Sequence, residues 1–532
     1  MKNKFYIIII TYWLTLEFLI DGLTHFFSVY RFLNIVENAI SIAFVILLIS
    51  QLGNEKLRRY AFLVATILIG IMIWFETIMY YLFKISFGPS SYYVFLNTNP
   101  DELSGFLREY VDIYLLGITL LFIIPLFQLK RITNSFRLQT NEFELKNYKW
   151  LKVGLISIVV LFGLRSTSLI DHNLAYLTAR SIVLNYKESK YIDQFNAELN
   201  TKKNIVINSN DDINNTFLVV IGESTTSSHM QLYGYYRPTT PRLQALKDSL
   251  LIFKNVISPN TSTFHSLSKA LTLGNYEEPE KVLAFPITGL FNKAGFKTFW
   301  ISNHSPAFNP DSDLARVSNK AEFKFHNAKE AVMNNVKHDG DLLSKVANAL
   351  NDSAKHKIIF LHLIGTHFSY DNRYPTNFDV FKDKPKTDFQ DNLAYTKINQ
   401  YDNAILYNDF IVSEVLNKLK NKNTNSYLLY FSDHGEEVFK DENFYGHLED
   451  RPTTDTYKIP FLLWYNRDFN LPQDFVFDAD RKYMTDDLWH SIAHISGLKS
   501  DYIDLNRSVF SSQFRERKRI ILEDKDFDTM FK

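Results

Sequence analysis

The chain of 532 residues contains no cysteine and has no excess charge of either sign. The absence of cysteine excludes disulfides, thiol catalysis and cysteine-ligated iron–sulfur clusters. A formal net charge of zero gives no electrostatic reason to expect a nucleic-acid partner, and we expect none. The sequence has no internal repeat, and its length is sufficient for two or three folding units.

Long apolar segments are confined to the first third of the chain, and aromatic residues make up 15% of the whole, which is typical of a protein with a membrane portion. Each apolar segment is long enough, or nearly so, to cross a bilayer. The segments lie near Phe5–Ile20, Phe32–Leu52, Tyr60–Phe83, Val111–Leu129 and Trp150–Ile170. We therefore predict a transmembrane domain of five helices in residues 1–171. A cleaved signal peptide is the alternative for the first segment, but no small-residue cleavage site precedes Asp21.

Basic residues alternate between the predicted loops and thereby indicate the orientation in the membrane. The N-terminus and the second and fourth loops are rich in lysine and arginine, whereas the first and third loops carry only Arg31, Lys84 and Arg108. Loops rich in lysine and arginine stay in the cytoplasm. The N-terminus is therefore predicted to be cytoplasmic, and the chain after Ile170 is predicted to lie on the other side of the membrane.

A polar connector is predicted at residues 172–215, where Asn, Lys, Asp and Ser are concentrated near the end. Predicted strands then alternate with predicted helices through residues 216–532, which indicates an α/β domain with a largely parallel sheet flanked by helices. The predicted strands are Phe217–Ile221, Leu251–Val256, Phe296–Ser302, Lys357–Leu363, Tyr427–Phe431 and Ile459–Trp464. The predicted helices are Arg242–Ser249, Ile287–Ala294, Asp341–Leu350, Ile398–Leu419 and Thr485–Ile495.

Two of these strands end in side chains that bind metal ions. The strand Phe217–Ile221 is soon followed by Glu223, and the strand Tyr427–Phe431 is followed by Asp433 and His434. Catalytic groups collect at the carboxyl ends of strands in an open α/β sheet. Carboxylate and imidazole are zinc ligands, so the pattern predicts one zinc site formed by these three side chains. The alternative for a carboxylate after a strand is a helix cap.

A loop rich in hydroxyl groups lies between the two strands in sequence. Residues 258–262 lead from a predicted strand into a predicted helix that begins near Thr263. The free N–H groups and the dipole of a helix N-terminus stabilise an anion such as a phosphoryl group. The alternative is an ordinary hydroxyl cap of the helix.

Part of the chain resembles the opening motif of bacterial phosphoethanolamine transferases. The resemblance is carried by three segments, Ile221–Thr226, Leu232–Tyr235 and Thr239–Pro241. These enzymes are membrane-anchored members of the alkaline phosphatase/sulfatase superfamily, and the resemblance spans nearly the whole chain. It implies a multi-pass protein of the bacterial inner membrane with a periplasmic, sulfatase-like catalytic domain. It also implies phosphatidylethanolamine as the lipid donor, and a lipopolysaccharide, lipid A or other envelope glycan as the acceptor.

The resemblance implies a zinc-dependent mechanism. Glu223, Asp433 and His434 match the family's zinc ligands, and Thr263 matches the threonine nucleophile, which also faces the zinc ion. Zinc would make chemical sense at this position because it lowers the pKa of a hydroxyl group and screens charge at phosphorus. One zinc site is expected, and a second is left open.

Further residues match the family's substrate site. His367 and His447 match histidines that contact the phosphoryl group, and they are also candidates to protonate a leaving group or to hold a second zinc ion. Thr98 and Glu102 match polar residues beside the lipid donor, although a turn followed by a helix start explains them equally well. Asn303 matches a position near the phosphate of the donor headgroup.

The remaining candidate histidines are expected to be structural. These histidines are His229, His265, His304, His490 and His494.

Two other functions stay open. One alternative function is a glycerol-phosphate transferase of the lipoteichoic acid synthase type, and another is a non-catalytic membrane sensor or scaffold. The presence of Glu223, Thr263 and Asp433 argues against a non-catalytic protein. We expect the chain to act as a monomer.

Overall fold

The computed structural model describes residues 4–24, 29–83, 111–135, 149–180, 182–183, 206–207, 213–282, 284–304, 317–327, 337–422, 424–449, 451–522 and 524–532. The chain forms two compact units. The described residues of the first unit lie within residues 4–183, and those of the second lie within residues 206–532.

Long apolar helices dominate the described part of the first unit. They are α1 (Lys4–Thr24), α2 (Val29–Ser50), α3 (Glu55–Phe83), α4 (Ile113–Ser135) and α5 (Lys149–Ser166). Each overlaps one of the apolar segments of the sequence. Among the described residues, Arg31–Ser50 and Glu55–Leu82 are long and apolar enough to cross a membrane, and Ile8–Ile20 and Ile113–Phe127 form shorter apolar helices.

Buried charged side chains of the first unit have polar partners. Arg31 of α2 forms a salt bridge with Glu17 of α1 at 2.7 Å, and both side chains are buried. The amide of Asn38 donates to Glu76 of α3 at 2.7 Å. Buried polar groups require such partners in an apolar environment. These contacts therefore explain how the first apolar segment accommodates Glu17.

A seven-stranded sheet forms the centre of the second unit, with the strand order β3-β11-β8-β2-β7-β5-β6. Its strands are β2 (Asn215–Gly222), β3 (Leu251–Phe253), β5 (Lys297–Ser302), β6 (Phe323–His326), β7 (His356–His362), β8 (Asn425–Ser432) and β11 (Phe461–Tyr465). Two-residue strands lie outside it: β1 (Val206–Ile207), β4 (Val256–Ile257), β9 (Glu437–Val438), β10 (Tyr445–Gly446), β12 (Tyr483–Met484), β13 (Leu498–Lys499), β14 (Ile520–Ile521) and β15 (Lys525–Asp526).

The central sheet is mixed, which corrects the expectation of a largely parallel sheet at one edge. Strands β8, β2, β7, β5 and β6 pair in parallel, but β11 is antiparallel to both β8 and β3. A parallel return requires a crossover of a dozen or more residues, usually a helix. The described residues between β8 and β11 form the β9–β10 pair and a helix of four residues, Thr454–Tyr457, in place of a long crossover helix, and β11 runs back beside β8.

Helices cover both faces of this sheet. They are α6 (Pro241–Ala245), α7 (Thr263–Ala270), α8 (Ile287–Lys293), α9 (Leu343–Leu350), α10 (Asn392–Lys420), α11 (Thr454–Tyr457), α12 (Leu488–Ile495) and α13 (Phe527–Met530). Strand β2 is buried along its whole length, and its side chains alternate between two apolar cores. Phe217, Val219 and Ile221 enter one core, and Leu218 and Val220 enter the other, because successive strand residues face opposite sides.

Candidate active site

The pairing of β2 with β8 brings the two predicted ligand segments together. Gly222 is paired with Ser432 in the parallel register, so the next residues, Glu223 and Asp433, leave the sheet side by side. Asp433 accepts hydrogen bonds through Oδ1 from the backbone N–H of Ser224 at 3.0 Å and of His434 at 2.7 Å. These bonds fix the carboxylate of Asp433.

The ring of His434 is oriented by its own loop. Its Nδ1 lies 2.8 Å from the carbonyl oxygen of Gly435, so Nδ1 carries the proton and Nε2 carries the lone pair. That Nε2 is 3.4 Å from Oδ2 of Asp433 and 3.5 Å from Oε1 of Glu223. Three ligand-type atoms therefore converge on one point, and all three side chains are buried.

Thr263 joins this cluster. It is the first residue of α7, as the sequence predicts, and its Oγ1 donates to the carboxylate of Glu223, with distances of 3.0 Å and 3.1 Å to the two oxygens. The Thr263 hydroxyl therefore lies in the carboxylate–imidazole cluster and at a helix N-terminus, where an anion is stabilised.

A carboxylate that the sequence analysis missed holds the loop before Thr263. Glu449 accepts hydrogen bonds from the amide of Asn260 at 3.2 Å, the backbone N–H of Thr261 at 2.8 Å and the hydroxyl of Tyr457 at 3.0 Å. Lys269 of α7 donates to the side chain of Asn260 at 2.7 Å. Nothing in the sequence places Glu449, which is some 190 residues away, on this loop, because the contact depends on the tertiary fold.

His447 and His367 stand near the cluster. The Nδ1 of His447 is 2.5 Å from Oε2 of Glu436, which also accepts from the hydroxyl of Tyr370. The rings of His447 and His434 are 4.3 Å apart, and those of His367 and His447 are 6.4 Å apart. The contact with Glu436 holds the Nδ1 proton of His447 and leaves Nε2 for a ligand.

Two further histidines approach Glu223 from its other side. His304 Nε2 is 3.7 Å and His362 Nε2 is 3.9 Å from Oε2 of Glu223, and the two rings stack at 4.1 Å. From the sequence, His304 is expected to be structural and His362 is not singled out. His304 Nε2 is also 2.9 Å from the carbonyl oxygen of Leu363, so this atom already has a protein partner. The available signal was the position of both histidines at the ends of neighbouring predicted strands.

Asn303 belongs to the scaffold around the site. Its amide donates to the buried carboxylate of Asp339 at 2.8 Å, and its Oδ1 accepts from the amide of Asn327 at 2.9 Å. Asp339 also accepts from the backbone N–H of Gly365 at 3.0 Å. Gly365 has φ +49°, and a Cβ atom there would lie 2.8 Å from the carbonyl oxygen of Glu223. The loop that leads to His367 is thus held tightly against the metal-ligand loop.

The remaining predicted residues divide into two groups. Thr98 and Glu102 lie outside the residues that the structure describes. The other histidines expected to be structural all have protein partners. These contacts are His229 with Asp402 at 2.7 Å, His265 with Ser262 at 2.7 Å, His490 with the backbone of Asp504 at 3.2 Å, and His494 with Ser508 at 2.8 Å.

The electrostatics of the cluster favour a bound cation. Burial, and then the neighbouring Asp433, raise the pKa of Glu223 well above its ordinary value. Burial lowers the pKa of His304 to about 4 and that of His362 well below its ordinary value, so both imidazoles are neutral at pH 7. Adjacent buried carboxylates and neutral imidazoles are stabilised by a positive ion.

The donor set fits zinc. Among the described residues, some buried atoms beside Glu223 lack a hydrogen-bond partner, namely Asp433 Oδ2, His434 Nε2 and His362 Nε2. Asp433 and His434 form the cluster with Glu223. Ligand atoms at about 2.0–2.2 Å from a tetrahedral zinc ion lie roughly 3.3–3.6 Å apart. The distances from His434 Nε2 to Asp433 and Glu223, 3.4 Å and 3.5 Å, fall in this range.

A mixed α/β sheet that carries a carboxylate–histidine–threonine cluster at its carboxyl edge defines a sulfatase-like domain, and residues 215–498 match the family model described as Sulfatase. The chain is 31% identical over 501 residues to the phosphoethanolamine transferase EptC of Escherichia coli K12, and the match covers 85% of this chain and 83% of that protein. The chain therefore belongs to the phosphoethanolamine transferase family of the alkaline phosphatase superfamily.

Solved structures agree with this assignment. The C-terminal periplasmic domain of Escherichia coli EptC, crystallised as a complex with zinc, is 36% identical and superposes with a TM-score of 0.58, covering 62% of this chain and 96% of that domain. The integral membrane protein EptA of Neisseria meningitidis covers 93% of this chain and 97% of its own, with 21% identity and a TM-score of 0.63. The second similarity shows a shared fold that includes the N-terminal unit.

Proposed function

We propose that this chain transfers phosphoethanolamine from phosphatidylethanolamine to a lipopolysaccharide, lipid A or another envelope glycan and releases diacylglycerol. The observation that carries the proposal is the contact of Thr263 Oγ1 with Glu223 at 3.0 Å, inside a cluster whose Asp433 and His434 have unpartnered ligand atoms. A hydroxyl held in such a cluster is an activated nucleophile.

Each residue has a role in a double displacement. Glu223, Asp433 and His434 would hold zinc, with Thr263 facing it, and a bound zinc ion supplies charge neutralisation and a lowered hydroxyl pKa. Thr263 Oγ1 gives its hydroxyl proton to His447 and attacks phosphorus, and the bond from phosphorus to the diacylglycerol oxygen breaks. The acceptor oxygen then attacks phosphorus, loses its proton and restores Thr263.

Proton transfer in this reaction falls to His447. The leaving diacylglycerol oxygen needs one proton, and the acceptor must give one up. His447, whose Nδ1 is fixed by Glu436 at 2.5 Å, is suited to deliver and regain it through Nε2. His367 is suited to bind a non-bridging phosphoryl oxygen. A second zinc ion, if present, would use His367 and His447, or the unpartnered Nε2 of His362.

The membrane arrangement is part of the proposal. Residues 1–171 form five transmembrane helices with a cytoplasmic N-terminus, 172–215 form the connector, and 216–532 form the periplasmic catalytic domain of a monomer. Thr98 and Glu102 contribute to the donor site. A reporter active only in the periplasm, fused after Lys532, should be active, and the same reporter inserted within residues 131–149 should be silent. The reverse pattern contradicts this orientation.

The donor assay tests the chemistry directly. The full chain is incubated with phosphatidylethanolamine and without acceptor, and its peptides are mapped by mass spectrometry. The expected result is a phosphoethanolamine adduct on Thr263 together with released diacylglycerol. Phosphatidylglycerol is the matched second donor. A glycerol-phosphate adduct from it, with none from phosphatidylethanolamine, would contradict the proposed donor while leaving the threonine mechanism intact.

A further inference from the structure

A cavity of about 690 Å³ opens in the second unit and is lined by three lysines. Lys384 and Lys386 come from the segment before α10, and Lys440 comes from the segment between β9 and β10. Among the described residues of the lining, Asp388 is the one carboxylate. A cleft lined by cations attracts an anionic ligand.

The two lysines before α10 carry uncompensated charge. Lys384 Nζ lies 5.1 Å from the ring centre of Tyr395, and Lys386 Nζ lies 4.8 Å from that of Tyr236. Neither ammonium group has an ion pair with a carboxylate in the part of the chain that the structure describes. Lys440, by contrast, is paired with the buried Asp455. A cation on an aromatic face is oriented but keeps its charge for another partner.

The wall of the cavity is fixed by polar contacts. His229 is buried, and its Nδ1 lies 2.7 Å from Asp402, which also accepts from the hydroxyl of Tyr235 at 3.0 Å. The imidazole can therefore meet a ligand only through its Nε2 edge. The hydroxyl of Thr387 donates to the carbonyl oxygen of Phe439 at 2.8 Å and ties the segment before α10 to the segment that carries Lys440. The cavity is thus formed before a ligand binds.

The cavity lies close to the metal-ligand cluster along the chain. His229 follows Glu223 by six residues, which span at most about 21 Å when fully extended. Lys440 follows Glu436 by four residues, at most about 14 Å. The hydroxyl of Tyr401, the residue before Asp402, donates to the carbonyl oxygen of Ser224 at 2.7 Å. The cavity and the cluster therefore share the loop that begins at Glu223.

We propose that this cavity binds an anionic saccharide, a sugar that carries a phosphate or carboxylate group, and that it anchors the acceptor beside Thr263. Lysines recognise the anion, and the tyrosine, histidine and hydroxyl groups of the wall suit the faces and hydroxyls of sugar rings. The assignment of the ligand as acceptor rests on the proposed transferase function, whereas the binding itself does not.

Binding is tested with small probes on the full chain in detergent. Glucose 1-phosphate and glucuronate are titrated against glucose as the uncharged control, and saturation transfer or calorimetry gives the affinity. We expect one or both anionic sugars to bind and glucose to bind at least tenfold more weakly, and a K384A/K386A variant to lose about tenfold in affinity. The matched control is Lys382→Ala, because Lys382 is exposed and already paired with Asp379.

Two outcomes overturn the proposal. If the anionic sugar still binds to K384A/K386A but no longer binds to Asp433→Ala, the sugar binds at the metal-ligand cluster. If glucose binds as tightly as the anionic sugars, charge has no role in the recognition. A preference for glucose 1-phosphate or for glucuronate identifies the anionic group. With a transferable acceptor, the variant should raise the KM for acceptor more than it slows adduct formation on Thr263. If no adduct forms in the wild type, the transferase proposal fails, and the titration still decides the cavity.

Discussion

The backbone N–H of Thr261 donates to Oε2 of Glu449 at 2.8 Å and thereby attaches the loop before Thr263 to the segment that carries His447. The other carboxylate oxygen accepts from Asn260 and from Tyr457. The loop before the proposed nucleophile is therefore tied, through one carboxylate, to the segment that carries the proposed proton donor.

Glu449→Gln should slow transfer while zinc stays bound. Each oxygen of Glu449 faces donors, so the NH₂ group of a glutamine opposes an N–H or O–H in either orientation. One unsatisfied buried donor costs about 1–3 kcal/mol, so we expect a loop displaced from Glu223 and a rate reduced about tenfold or more. Adduct formation on Thr263 and zinc content by elemental analysis are the measurements. Glu322→Gln, at an exposed position before β6, is the control and should behave like the wild type.

Removal of a ligand from the cluster should remove metal and activity together. Glu223→Ala, Asp433→Ala and His434→Ala each delete one donor atom, and the loss of a single ligand usually weakens zinc binding strongly. The measurement is zinc per chain after purification, with Asp441→Ala as the exposed acidic control. Unchanged zinc content in all three variants would mean that the ion binds elsewhere.

Thr263→Ala should abolish donor cleavage and leave the fold largely intact. The substitution removes one hydroxyl at the start of α7, which costs about 1 kcal/mol of stability. Thr263→Ser keeps an oxygen beside Glu223 and should retain a trace of activity. Diacylglycerol release and peptide mapping are the readouts. An adduct on Thr261, Ser262 or Ser224 would identify that residue as the nucleophile in place of Thr263. Full activity of Thr263→Ala would exclude a covalent intermediate on Thr263.

His490 should make stability depend on pH between about 3 and 6.5. Burial lowers its pKa to about 3, and its Nδ1 accepts from the backbone N–H of Asp504 at 3.2 Å. Between these pH values the unfolded chain binds a proton at His490 that the folded chain does not bind. The contribution of His490 to the free energy of unfolding is therefore fully present above the pKa of the unfolded state. It falls as the pH falls, by at most about 1.4 kcal/mol per pH unit. Thermal midpoints from pH 4.5 to 7 should therefore show a smaller slope for His490→Gln. An unchanged slope would exclude this histidine as the cause.

The strands that carry the site could be predicted because their sequences are short and apolar, with β-branched residues in β2 and aromatic residues in β8. Strands β2 and β8 are both present within two residues of their predicted bounds, and Thr263 begins a helix as expected. Local patterns of this kind determine which elements form. They also place Glu223 and Asp433 at strand ends.

Contacts between distant strands could not be predicted in the same way. His362 reaches Glu223 because β7 pairs with β2, and His304 follows because β5 pairs with β7, with Ser302 opposite His362. No local pattern specifies this order of strands. The antiparallel direction of β11 likewise depends on how the chain returns after β8.

The backbone N–H of Ser224 donates to Oδ1 of Asp433 at 3.0 Å, although the two residues lie 209 positions apart in the sequence. Their segments meet at the proposed zinc cluster. An ion bound there would cross-link the first and last strands of the parallel core in a protein that has no disulfide. A ligand that binds only the folded state adds about 2.7 kcal/mol of stability at a hundred times its Kd. The lifetime of this protein against envelope proteases would then follow the zinc supply of its compartment, and scarcity of the metal would reduce the amount of enzyme as well as its activity.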